Sequence, residues 1–184
     1  MIQSKMNTLE EIAHIGDKNR FAVTLKLDKN YGDIWLFGRI CYWIGGDIVG
    51  DYNLGTSLRD VLIQSSYIRN DSGKRFCPSL ANLEKDKIFS LTSNSLLENS
   101  TDISQYTQGD PLSACFDVRI PVDVFDSWKI FLVEDISEAR MLYKHIDSPN
   151  IREFKLTPNE FDNVFCEAYI HLEKLYDIEN EKHK

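Results

Sequence analysis

The 184-residue sequence predicts an α+β fold: a single domain with a mainly antiparallel sheet, two middle helices and a C-terminal amphipathic helix packed on the sheet. Three observations carry that expectation. Residues 20–28, RFAVTLKLD, alternate apolar and polar side chains at the period of a half-buried strand. Residues 115–146 hold three strand-length apolar runs joined by short turns, the pattern of an antiparallel meander. Residues 157–175 place apolar side chains at helical spacing behind a capping signal.

Residues 1–19 read as a weakly ordered or short helical lead-in, with EEIAHI as its apolar piece. In the first strand Phe21, Val23, Leu25 and Leu27 face one way, and Thr24 and Lys26 the other. Asn30–Asp33 is a turn. Residues 34–44, IWLFGRICYWI, are apolar on both faces, so this strand is central and its aromatics are chiefly core. Gly38 inside it marks a bulge or a close backbone approach. Gly45-Gly46 is a two-residue hairpin turn, and DIVGDYNL returns from it.

A helix over 57–70 starts at Thr56 or Ser57, with Asp60 in the capping-box position. A second helix spans about 79–98, with a ragged stripe of Leu80, Leu83, Ile88, Leu91 and Leu96. Residues 99–113 are polar and aperiodic, the best candidate for a mobile loop. The meander strands are 115–122, 127–134 and 139–146, with a further strand at 152–157. Thr157-Pro158-Asn159-Glu160 then opens the last helix, whose stripe is Phe161, Val164, Phe165, Ala168, Leu172 and Leu175. Residues 177–184 are charged and read as a frayed end. The whole chain, 1–184, reads as one domain, with weak order at 1–19 and 177–184.

Composition limits the function classes. The formal charge is −8, which repels phosphate backbones and disfavours direct nucleic-acid binding. It favours a basic protein partner, although acidic surfaces also serve solubility. Residues 110–138 concentrate the charge, with Asp110, Asp117, Asp123, Asp126, Glu134, Asp135 and Glu138 against only Arg119 and Lys129. No run is long and apolar enough for a membrane span, and the N-terminus has no signal-peptide h-region, so a cytoplasmic protein with no membrane contact is expected. Cys41, Cys77, Cys115 and Cys166 are widely spaced and read as reduced small hydrophobes; zinc, a disulfide and a reactive thiol are the alternatives.

Catalytic constellations are weak. His145 lies beside Asp147, and His171 flanks the apolar stripe of the last helix. No histidine pair has metalloprotease spacing, and the glycines of FGRICYWIGGDIVG match neither a dinucleotide fingerprint nor a phosphate-binding loop. Asp123 with Asp126, and Glu134 with Asp135, are carboxylate pairs in turns, where aspartates accept local backbone N–H bonds. No catalytic, cofactor-binding or metal-binding residue is assigned, and no cofactor is expected.

Two segments carry a resemblance: WLFGRICYWIGGDIVGDYNLGTSLRDVL (35–62) and FDVRIPVDVFDSWKIFLVE (116–134), with a weaker similarity in EFDNVFCEAYIHL. Together they resemble the immunity protein 42 family of bacterial polymorphic toxin systems, over residues 20–175. The resemblance implies a cytoplasmic protein that sits beside a cognate toxin and protects the producing cell or its kin, contact-dependent inhibition being one setting. Toxins of this kind are often basic nucleases. Their immunity proteins bind them tightly, blocking the active site or an adjacent surface. The family offers no catalytic residues to carry over.

The expectation is therefore a toxin-neutralising binding protein, monomeric on its own and 1:1 with its toxin. Its expected contacts are Asp47, Asp51 and Tyr52 past the hairpin, and Asp123, Asp126, Glu134, Asp135 and Glu138 in the acidic turns. Two other classes stand beside it: a small hydrolase using Asp123, Asp126 or Glu134, and an oligomerising module with Trp43 and Tyr52 at a subunit contact.

Overall fold

Backbone pairing divides the strands into two antiparallel sheets. The computed structural model describes residues 12–108 and 112–182. The first sheet contains β1 (Ile12–Gly16), β2 (Phe21–Leu27), β3 (Phe37–Ile44), β4 (Asp47–Val49) and the short β5 (Thr56–Ser57). Its order is β1-β2-β3-β4, with β5 also paired to β3. The register sets Phe21 opposite Ile44, Val23 opposite Tyr42 and Leu25 opposite Ile40, so one face is a continuous apolar sheet. Gly38 makes the expected close approach: a Cβ there would lie 2.2 Å from the Lys26 carbonyl oxygen. The Gly45-Gly46 hairpin is also as expected, although its returning strand is only three residues long.

The first strand is a departure. Residues 12–16, read as part of a weakly ordered or helical lead-in, form an edge strand on β2. His14 supplies one reason, since its ring nitrogen lies 2.8 Å from the Thr24 hydroxyl across the pair. The rest of that lead-in lies outside the described residues.

The expected helix 57–70 breaks at Ser65 into α1 (Leu58–Gln64) and α2 (Ser66–Asn70). Its start is as expected, with the Ser57 hydroxyl accepting from the Asp60 N–H. The second expected helix also divides, into α3 (Pro78–Ala81) and α4 (Lys85–Leu97), and α5 (Ser104–Thr107) follows within the polar segment. Residues 109–111 of that segment lie outside the described residues.

The expected strand 115–122 is not one. Residues 113–116 coil as a 3-10 turn, and the extended part touches the sheet through a single bridge, Asp117 to Phe131. Pro121 cannot donate to a ladder, which limits pairing there. The second sheet is accordingly three-stranded: β6 (Trp128–Glu134), β7 (Ala139–His145) and β8 (Arg152–Leu156), in that order.

The closing helix α6 (Glu160–Glu181) buries Phe161, Phe165, Ala168 and Leu172, as its periodicity predicts. The Glu160 carboxylate reaches back to the Thr157 N–H at 2.9 Å, half of a capping box. The expected frayed end is helical to Glu181; Glu179 is buried and accepts from the Tyr31 hydroxyl. Residues 183–184 lie outside the described residues.

Two cores result. The larger joins the apolar face of the first sheet, α1, α6 and one face of the second sheet, with Ile130, Leu132, Met141 and Tyr143. The smaller lies on the opposite face of the second sheet, where Phe131, Val133 and Leu142 meet Leu80, Ile88, Phe89 and Leu91 of α3 and α4. A sheet buried on both faces explains the near-continuous apolar run IFLV in β6. Among the described residues no helix is long and apolar enough to cross a membrane.

Candidate functional site

The eight expected contact residues do not form one patch. Asp51 and Asp123 come together: the Asp51 N–H donates to the Val124 carbonyl at 2.7 Å, tying the segment after β4 to the 3-10 turn 123–125. Both carboxylates are exposed and accept local N–H bonds, Asp51 from Asn53 and Leu54 and Asp123 from Val124. Tyr52 is half-buried beside Asp51, and burial raises its phenol above the ordinary range. Asp126 is exposed and lies 3.3 Å from Arg119.

The other expected contacts have internal partners. Asp47 accepts from the Tyr143 hydroxyl at 2.8 Å and pairs with Arg152 at 2.6 Å, latching the first sheet to the second. Glu134 is the least accessible of the eight. It is buried, 4 % exposed, and accepts from the Asn159 N–H at the start of α6. Burial raises its carboxyl above the usual range. Asp135 caps its own turn by accepting from Ser137 and Glu138, and those N–H bonds hold its carboxyl low. Glu138 pairs with Lys155 at 2.8 Å. These last three stand at the far end of β6 from Asp126. A seven-residue strand spans about 20 Å, so Asp126 and Glu134 cannot work across one cleft.

The surface beside Asp51 and Asp123 holds residues that the sequence reading assigned to the core. Trp35 is 45 % and Phe37 44 % exposed. Their rings stack at 6.3 Å with planes 4° apart, and the Arg59 guanidinium lies 3.6 Å from the Trp35 ring centroid. The backbone beneath is unusual. Asp33 and Leu36 both adopt the left-handed region, at φ 53° and 52°, each at a cost of about 1 kcal/mol. Leu36 turns inward and is fully buried between the two outward rings.

Hydrogen bonds fix this turn. Phe37 N–H donates to Tyr31, Trp35 N–H to Gly32, and Leu36 N–H to Asp33. The Ser57 hydroxyl donates to the Trp35 carbonyl at 2.9 Å, coupling the aromatic pair to the start of α1. Gly32 lets the Phe37 ring settle close, since a Cβ there would lie 2.8 Å from it. Alternation alone hid this arrangement. The signal that the strand begins only at residue 37 is the turn sequence Asn30–Asp33, which ends two positions before the first tryptophan.

Beside the aromatic pair runs an open groove of about 590 Å³, lined by Asp28, Phe37, Gly55, Thr56, Asp60, Pro121 and Asp123 among others. Two of its carboxylates have an arginine close by: Asp28 lies 3.8 Å from Arg39, and Asp60 is paired with Arg59. Among the described residues Asp123 has no ion pair within 4 Å and accepts from the Val124 N–H.

The model of the family described as immunity protein 42 matches residues 1–171 of this sequence. The chain belongs to the immunity protein 42 family. A crystal structure of CdiI from Burkholderia dolosa AUO158 is similar in fold, with a TM-score of 0.68 at 16 % identity, covering 86 % of this chain and 99 % of that one. No curated protein matches. The resemblance seen in residues 35–62 and 116–134 thus stands, and the α+β class with it.

Among the described residues no group of three or more histidine, cysteine or acidic side chains could hold a metal ion. Burial pushes the Cys41 thiol up to about 12 and raises those of Cys77 and Cys115, so they stay protonated and unreactive at neutral pH. The Trp43 indole donates to Thr24 at 2.8 Å on the outer face of the first sheet.

Proposed function

We propose that this chain neutralises a cognate toxin domain in the cytoplasm by forming a 1:1 complex with it, acting by binding and not by turnover. The toxin is a basic nuclease delivered by a contact-dependent inhibition system. Membership of the immunity protein 42 family carries the reading. The charge of −8 supports the basic character of the partner, because an acidic inhibitor competes for surfaces that would otherwise contact phosphates. The carboxylates available for this are the exposed ones, Asp51, Asp123 and Asp126, with Tyr52 beside them. We leave Glu134 out of this set because the protein itself encloses its side chain.

The test is co-expression with the toxin domain encoded beside this gene. The reading requires rescue of growth, a complex of one copy each, and loss of both when the gene is replaced by an unrelated immunity gene. Growth arrest unrelieved by this chain, with no complex of the purified proteins, removes the proposal. Turnover of nucleic acid or of the toxin by the purified chain alone would replace binding with catalysis.

A further inference from the structure

Resting on that reading, we infer that the toxin docks on the aromatic and acidic face of Trp35, Phe37, Asp28, Asp60 and Asp123, and that it presents there a segment bearing arginine or lysine. The cationic chain enters the groove between β5, the start of α1 and residues 121–123. An apolar or planar neighbour on the same segment rests on the Trp35–Phe37 pair.

Three features select this face and this occupant. Trp35 and Phe37 are the type of side chain that anchors interfaces, and here both are nearly half exposed and stacked. They are held by a turn with two left-handed non-glycine residues and backbone hydrogen bonds from Trp35, Leu36 and Phe37. A costly, rigid display of apolar area has no folding benefit, and it lowers the ordering cost when a partner arrives. The polar side of the face is acidic: three carboxylates line the groove, and of the two nearby arginines Arg59 already demonstrates the chemistry, lying flat on Trp35 while its guanidinium pairs with Asp60.

The complementary occupant is therefore cationic, which agrees with a basic toxin and not with a second copy of this acidic chain. The face also explains why Asp51 and Asp123 are displayed together on its margin, whereas Asp135 and Glu138 are used internally.

The experiment measures association and dissociation of the purified neighbouring toxin domain on three variants. The groove variant is Asp28→Asn with Asp60→Asn and Asp123→Asn. The aromatic variant is Trp35→Ala with Phe37→Ala. A charge-matched control is Glu98→Gln with Glu167→Gln and Asp147→Asn, none of which lines the groove. The groove variant should associate about tenfold more slowly at low salt than the control. The aromatic variant should dissociate at least about tenfold faster. All these side chains are partly or fully exposed, and circular dichroism of each variant should match the parent.

Wild-type binding with both groove and aromatic variants within about twofold of the control overturns this inference and leaves the proposed function standing. Equal slowing by groove variant and control assigns the effect to overall charge and also overturns it. Absence of wild-type binding removes both. Sedimentation showing a dimer that the aromatic variant dissolves would assign the face to a second copy and contradict the cationic occupant.

Discussion

Arg75 and Asp162 show how much a single pair can govern. Both are buried, at 1 % and 5 % side-chain exposure, and they meet at 2.6 Å. Arg75 also donates to the Ile68 carbonyl, and Asp162 accepts from the Gly73 N–H, so the pair ties α2, the following turn and α6 together. Removing one partner strands a buried charge. Arg75→Met alone should cost about 3–5 kcal/mol, and Arg75→Met with Asp162→Leu should recover a large part of it. Urea unfolding of the single and double variants measures this; a double variant as unstable as the single one would contradict the account.

At the same scale, Glu160 receives two 2.7 Å bonds from Arg20, which hold its carboxyl down to about 2. Its folded pKa lies below its unfolded value of 4.5. The stability it adds is therefore full above about 4.5 and lost as pH falls toward 2. Burial raises Glu134 and Asp117 instead, so their ionisation opposes folding as pH rises above their ordinary values. Unfolding curves between pH 2 and 7 should show a steep acid loss in the parent that Glu160→Gln flattens, with the Glu134 and Asp117 contributions unchanged. Equal slopes in the two proteins would contradict the assignment to Glu160.

Among elements, the sequence was most legible where one periodicity acted alone. The strand 21–27 and the stripe of α6 were readable because their large apolar side chains recur at one clear period and face the same core. Residues 115–122 look equally apolar, yet they serve as an extended strap carrying one bridge, because Pro121 and the 3-10 turn at 113–116 prevent a ladder. Trp35 and Phe37 were misplaced for a related reason. Alternation tells which residues share a face, but only tertiary packing tells whether that face is covered. Of the face proposed above, Asp123 was among the contact residues named from the sequence, whereas Asp28, Asp60, Trp35 and Phe37 were not.

Two element-scale predictions follow from the same contacts. Ser57 both caps α1 and holds the Trp35 carbonyl. Ser57→Ala should cost about 1–2 kcal/mol, read as a lowered urea midpoint, and should also weaken toxin binding through the loosened aromatic pair. An unchanged midpoint would refute the capping role. Gly38→Ala forces a Cβ against the Lys26 carbonyl and the Leu58 methyl, prying β2 from β3. That should cost about 3 kcal/mol or more, and a parent-like thermal midpoint would contradict the register described.

For the whole molecule, charge and architecture divide the work. Two sheets and α6 make a scaffold in which Glu134, Asp47 and Glu160 spend their charge on internal bonds. The carboxylates left to solvent near the rigid aromatic turn give the molecule its acidic face. A member of the immunity protein 42 family built this way should bind fast at low salt and lose that speed as ions screen the field. The most direct measurement is the association rate of the purified chain with its cognate toxin domain, followed across ionic strength together with the mass of the complex. The account predicts one copy of each chain and an association rate that falls by on the order of tenfold from low to high salt. No complex, or a complex whose association rate is indifferent to salt, would contradict it.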